Sequence, residues 1–358
     1  MKKYLVVLLI VVVGGAILLL PLLKDEPLDF SIRPSAAVFD FKGDPGTFAG
    51  KESELKIKLV EDNIKKLEVV YLGKVLKSWK APKGDLSVTF VPDRVGTSTI
   101  QLLSTASDGK EFTDSRYLRV LSDISPVKRK AEVVKEYPHN MMNYTQGLDF
   151  YDGDLYEGTG QYGSSRVCRI RLEDGMDKDG LTLGLDGNYF GEGITVMNGL
   201  VYQLTWREGK CFIYKLNENY IQLDGEFNFV GQEGWGLCND GKSLIMSDGS
   251  ERIAFRNPES FQVERVIDVY NDKGPIVALN ELEFIDGKIY ANVYQTNVVV
   301  AIDPESGKIL EEIDCSILEG RGRGSGDVLN GIAHNELDGK TYMTGKYWAK
   351  LFEVKFVQ

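Results

Sequence analysis

The 358-residue chain is 43% hydrophobic and 27% charged, the balance of a globular protein too long for one ordinary domain. Its net charge of -11 argues against a nucleic-acid partner, because phosphate binding needs a basic face. Its two histidines (His139 and His334) and four cysteines (Cys168, Cys211, Cys238 and Cys315), none in a C-x-x-C pair, argue against a Cys/His zinc centre and leave the thiols as small core residues.

Lys2 and Lys3 precede an uncharged apolar run from Tyr4 to Leu23. About 20 residues at a rise of about 1.5 Å match the roughly 30 Å of a bilayer core. The lysines should stay in the cytoplasm while the rest crosses. No convincing small-x-small cleavage site and no lipidation cysteine follow, so residues 1–27 are expected to form an uncleaved transmembrane helix. The rest is then extracytoplasmic, and periplasmic on the inner membrane if the source is a Gram-negative bacterium.

Residues 28–125 read as short alternating strands, such as Glu54–Leu59, Lys66–Tyr71, Leu86–Phe90 and Ser98–Leu103. Period-two alternation between Gly, Pro and Asp turns predicts a small antiparallel, immunoglobulin-like β-sandwich. Ser122 to Lys130, polar and carrying a proline, reads as a linker.

Residues 126–358 repeat. An Asp-Gly or Asn-Gly type of turn, flanked by apolar strands, recurs at Gly153, Gly199, Gly241, Gly287 and Gly339, about 40 to 50 residues apart. Five such turns predict a five-bladed β-propeller and an all-β protein overall. Ala131 to Tyr137 is expected to lie beside Lys350 to Phe356 and close the ring, because an open sheet edge is a liability. Just before the turns stand Gln146, Glu192, Trp235, Asn280 and Asn330, each at the start of an innermost strand; seven residues after them stand Gly160, Trp206, Asp248, Tyr294 and Lys346. A hairpin returns both sets to the same end. They predict a pocket with one acid (Glu192), one base (Lys346), amides (Gln146, Asn280, Asn330) and a wall of Trp206, Trp235 and Tyr294, the composition of a small-ligand site. Any one of these residues serves equally well to satisfy backbone groups near an axis; their concentration at two register-equivalent positions favours a site.

The strings Tyr144-Thr-Gln146-Gly-Leu, Tyr189-Phe-Gly-Glu192-Gly-Ile-Thr, Leu204-Thr-Trp206, Gly234-Trp-Gly-Leu, Leu279-Asn-Glu-Leu-Glu283, Leu329-Asn-Gly-Ile-Ala and Thr344-Gly-Lys-Tyr-Trp348 resemble those of the plant and bacterial glutaminyl cyclases, in order, from about Tyr137 to Phe356. The resemblance implies a five-bladed propeller that converts N-terminal glutamine of peptides and proteins to pyroglutamate with release of ammonia. It implies no cofactor for catalysis and no metal ligands, although a structural Ca2+ is compatible with it. It assigns the acid/base role to Glu192 and places Gln146, Phe190, Trp206, Trp235, Asn280 and Lys346 in the pocket. Tyr144 and Tyr294 stand where a Phe and a Trp are usual. In this chemistry Glu192 would carry a proton from the attacking amine to the leaving nitrogen. Lys346, Gln146 or Asn280 would stabilise the oxyanion, and the aromatic wall would hold the substrate folded. A monomer is expected. Two other readings compete: a Ca2+-dependent lactonase-type hydrolase using Glu192, Asn280, Glu281 and Asn330, and a non-catalytic propeller binding peptides or glycans on its aromatic rim.

Overall fold

The computed structural model describes residues 9–13, 16–20 and 35–358. Within them the chain is all-β, with thirty strands and one short helix. The expected N-terminal transmembrane helix is corrected: no helix among the described residues is long and apolar enough to cross a membrane. Instead β1 (Leu9–Val13) and β2 (Ala16–Leu20) pair antiparallel. The local sequence accounts for this. Ile10 to Val13 is a run of β-branched residues, and Gly14-Gly15 is a hairpin turn signal.

The first domain contains β3 (Ala37–Phe39), β4 (Thr47–Phe48), β5 (Ser53–Leu59), β6 (Ile64–Tyr71), β7 (Lys74–Lys80), β8 (Leu86–Phe90), β9 (Gly96–Ala106) and β10 (Glu111–Leu121). They form a five-stranded sheet, β4-β10-β9-β6-β7, and a three-stranded sheet, β3-β5-β8. Alternation does the work expected of it: Leu55 and Ile57 of β5 and Ile100 and Leu102 of β9 point into one shared core. The purely antiparallel immunoglobulin-like sandwich is corrected in one respect. β4, reached through the Gly43–Gly46 loop, runs parallel to the end of β10.

This domain packs directly on the next. Tyr270 belongs to its core and its hydroxyl bonds Thr97 Oγ1 at 2.9 Å. Lys308 Nζ bonds Asp123 at 2.6 Å, and Ser122 N donates to Asn271 O at 3.1 Å. At Gly96 (φ +127) a Cβ would lie 2.2 Å from Asp268 Oδ2, so only glycine fits this seam. The expected linker is largely absorbed: β11 (Val127–Pro138) begins within it.

The remaining strands come in hairpin order: β12 (Thr145–Tyr151), β13 (Asp154–Thr159), β14 (Arg166–Ile170) and β15 (Asp177–Gly184); β16 (Gly191–Met197), β17 (Leu200–Thr205), β18 (Lys210–Leu216) and β19 (Ile221–Asn228); β20 (Leu237–Asn239), β21 (Leu244–Ser247), β22 (Arg252–Arg256) and β23 (Val263–Asp268); β24 (Leu279–Ile285), β25 (Lys288–Val293), β26 (Val298–Ile302) and β27 (Ile309–Asp314); and, after helix α1 (Ser316–Gly322), β28 (Leu329–Asn335), β29 (Lys340–Gly345) and β30 (Lys350–Val357). The first strands of these groups pack side by side in sequence order, and β28 returns to β12.

Five separate blades do not result. The groups form three four-stranded sheets and one continuous eight-stranded sheet, β24-β25-β26-β27-β11-β30-β29-β28. The reason is β11. It pairs antiparallel with β30, as Ala131 with Phe356, and parallel with β27, as Val127 with Glu311. Arg129 reaches the Glu311 carboxylate across this seam at 2.5 Å, and Lys288 of β25 reaches it from within the sheet at 2.6 Å.

Candidate active site

The first strand of the repeat starts with a local irregularity. In four of the five groups its ladder to the second strand slips, between Thr145 and Gly147, Gly191 and Ile194, Leu279 and Leu282, and Leu329 and Ile332. A bulge re-aims the residue it contains, and these bulges hold Gln146, Glu192, Asn280 and Asn330. The residue that follows is Gly147, Gly193, Gly236 or Gly331 in four groups. A Cβ on Gly193 would lie 2.5 Å from Trp235 O, and one on Gly236 would lie 1.9 Å from Asn280 O. Glycine thus lets neighbouring strands meet at the axis. The fourth group has Glu281 there instead. Its buried carboxylate accepts hydrogen bonds from Leu148 N (3.2 Å) and Ile332 N (2.8 Å), tying two other inner strands to its own.

At this end of the ring lies a cavity of about 230 Å³, lined by Tyr144, Gln146, Gln161, Phe190, Glu192, Trp206, Trp235, Asn280, Tyr294 and Lys346. Glu192 and Lys346 are both buried, and the Gln146 amide joins them. Gln146 Nε2 donates to Glu192 Oε1 at 2.9 Å, while Lys346 Nζ donates to Gln146 Oε1. The ammonium sits 4.5 Å from the Tyr144 ring centre and 5.6 Å from that of Tyr294. Burial pushes the Glu192 carboxyl well above the usual range; Lys346 opposes this, and the anions of Glu233 and Glu208 add to it. Burial likewise brings Lys346 down to about 8, against the pull of Glu192 and Asp327. Desolvation favours the neutral form of both groups. Asn280 Oδ1 is buried beside them with no hydrogen-bond partner, a free acceptor aimed at whatever fills the cavity.

The walls are ring on ring. Trp206 meets Phe190 edge-on at 5.6 Å, Trp235 meets Tyr294 at 5.5 Å, and Tyr144 meets Phe190 at 6.2 Å. Nine of the ten residues expected from sequence therefore converge. Asn330 does not: it is fully buried, and its Nδ2 holds Thr145 O at 3.0 Å, so it serves the strand before Gln146 and leaves the cavity unlined. Gln161 is the lining residue that sequence reasoning missed. It lies in the turn after β13 at φ +113, rare for a non-glycine residue, and its carbonyl caps Ser164 and Ser165. Of the donors expected for a hydrolase site, Glu281 is spent on backbone groups of two neighbouring strands and, like Asn330, does not line the cavity. Among the described residues no cluster of three or more His, Cys, Asp or Glu side chains could hold a metal ion.

Residues 104–356 match the family model described as glutamine cyclotransferase. A glutaminyl-peptide cyclotransferase of Arabidopsis thaliana is 35% identical over 243 residues, 66% of this chain and 74% of that protein. The crystal structure of Myxococcus xanthus glutaminyl cyclase superposes with a TM-score of 0.60 at 35% identity, covering 65% of this chain and 99% of the other.

Proposed function

Because the chain belongs to the glutamine cyclotransferase family and is an enzyme of glutaminyl cyclisation, we propose that the aromatic cavity at the ring axis is where an N-terminal glutamine closes into pyroglutamate. One observation carries the assignment of residues: the buried Glu192 carboxyl and the buried Lys346 amine share the Gln146 amide beside an unpartnered acceptor, inside a cavity of about 230 Å³.

The reaction joins the α-amino nitrogen to the γ-amide carbon and breaks the bond from that carbon to the amide nitrogen. The attacking nitrogen loses one proton, and the departing nitrogen gains one to leave as ammonia. Glu192 is suited to move that proton, because burial raises its carboxyl well above the usual range and so favours the protonated form that can donate to a leaving group. In its protonated form it donates to the departing nitrogen, and its carboxylate then takes the proton from the new ring nitrogen. Lys346 is the cation available to the oxygen that becomes negative when the amine attacks. Asn280 Oδ1 accepts an N–H of the substrate, either the amine or the γ-amide. The rings of Phe190, Trp206, Trp235 and Tyr294 keep the side chain curled, so that attack is intramolecular in geometry as well as in name.

The catalytic roles and the independence from metal are tested together. Ammonia release from Gln-initiated peptides is followed with and without EDTA, for the wild type and for Glu192→Gln. The expected result is chelator-resistant turnover in the wild type and a loss of about 100-fold or more in the variant. Undiminished turnover by Glu192→Gln would remove the carboxylate from the mechanism.

A further inference from the structure

Both indoles of the cavity are held from outside it by one side chain. Trp206 Nε1 donates to Glu233 Oε2 at 2.7 Å, and Trp235 Nε1 donates to the same oxygen at 3.0 Å. The other oxygen, Oε1, accepts from Arg207 Nε at 2.8 Å, and the Arg207 guanidinium lies 3.7 Å from the Trp206 ring centre. Glu233 does not line the cavity; its side chain is 35% exposed at the rim.

The two tryptophans come from different groups of strands. Trp206 follows β17 and Trp235 precedes β20, so no ladder fixes one ring against the other. A tight backbone contact joins their neighbourhoods: Gly234 N donates to Trp206 O at 2.8 Å, and a Cβ on Gly234 would lie 2.5 Å from Thr205 O. It places the Cα atoms but leaves each ring its χ angles. An indole has a single N–H donor, and at a half-open rim water can satisfy it in many orientations. Two indole donors meeting on one carboxylate oxygen leave essentially one. Hydrogen bonds to a carboxylate are also stronger than those to water or an amide. Burial raises the Glu233 carboxyl, but the hydrogen bonds from Trp235, Arg207 and Trp206 outweigh it and keep the group ionised, below the usual range.

We propose that Glu233 is a positioning residue for cyclisation: by fixing Trp206 and Trp235 against each other it holds the glutamine side chain folded towards its own amine. The proposal rests on the reading that the cavity is the cyclisation site. Glu233 lines no part of the cavity, and its charge adds to the upward push on Glu192. Its main contribution is the orientation of the wall, and the barrier is sensitive to small errors of orientation, at up to about 100-fold for a displacement of roughly 1 Å.

Position and charge are separable by substitution in the full chain. Glu233→Gln keeps an oxygen where both indoles need it and discards the charge that pairs with Arg207. Glu233→Asp keeps the charge and withdraws the oxygen by one methylene. Arg207→Ala removes the outer partner and leaves the clamp. The expected order of kcat on a Gln-initiated peptide is wild type, then Arg207→Ala and Glu233→Gln within about threefold, then Glu233→Asp and Glu233→Ala at least tenfold lower. KM should change less than kcat, and tryptophan fluorescence should shift only in the Asp and Ala variants. The reverse order, with Asp above Gln, would show that charge and not placement matters and would overturn the proposal. So would kcat in Glu233→Ala within twofold of the wild type. A wild type that releases no ammonia would instead count against the cyclisation site itself, whatever the variants do.

Discussion

Lys346 carries an electrostatic burden that stability measurements should expose. Its pKa in the folded protein is about 8, against an ordinary value of 10.5. Between those values the unfolded chain binds more protons, so stability rises with pH there, and the penalty is fully present below about pH 8. At about 1.4 kcal/mol per unit the penalty is at most about 3 kcal/mol, less whatever the Gln146 bond returns. Lys346→Met is therefore expected to gain about 1–2 kcal/mol at pH 7 by chemical unfolding and to lose that advantage near pH 10, while ammonia release falls at least 100-fold. Glu192 has the opposite pH sense. Its carboxyl is raised by burial, so the folded state holds a proton that the unfolded chain releases above about pH 4.5, and stability falls as pH rises. Glu192→Gln should then melt higher than the wild type at pH 7 and equally at pH 4; a difference that persisted at pH 4 would have another origin. A third expectation concerns Asn280. Its unpartnered Oδ1 needs only the substrate to satisfy it, so Asn280→Ala should raise KM by about tenfold without lowering Tm, as read from steady-state kinetics and thermal melts. Most of this constellation was legible in the sequence, because a repeat with a known turn places side chains by counting. What counting does not give is direction within a bulge. Asn330 occupies the same register as Gln146 yet turns to the Thr145 carbonyl, and Gln161 enters from a turn whose positive φ has no sequence signature.

The hairpins were readable and the long-range pairings only half so. Type I′ turns at Gly153, Gly199 and Gly287 announce neighbouring strands, which are buried along almost their whole length. The pairing of β11 with β30 was expected because an open ring leaves an edge. Its second pairing, parallel to β27, was not, since nothing in a local pattern records which strand passes alongside which. One consequence is that β11 lies between two sheets that would otherwise be separate, with Ala131 buried against the helix-side core and Glu311 bridging Arg129 and Lys288. Ala131→Asp should be strongly destabilising, by about 3 kcal/mol or more, because it places an unpaired charge in that core. Glu311→Gln, which weakens the ion pairs to Arg129 and Lys288, should cost about 1 kcal/mol. Urea unfolding distinguishes the two.

Across the whole molecule, the two domains share a side chain. Tyr270 sits in the core of the first while its neighbours Val269 and Ile267 sit in that of the third group of strands. A single cooperative melting transition is expected, and Tyr270→Ala should split it in calorimetry into two. At the N-terminus Leu9–Val13 and Ala16–Leu20 pair as strands where a helix was expected: length and hydrophobicity argue for a helix, while the β-branched run Ile10 to Val13 argues for a strand. One feature of the ring reaches beyond its architecture. Glu281, the carboxylate standing where the other four groups have glycine, is buried and holds backbone amides of two other inner strands, Leu148 and Ile332. A change at this one position is therefore felt by three groups of strands at once, so damage there would spread around the ring and not stay within one hairpin.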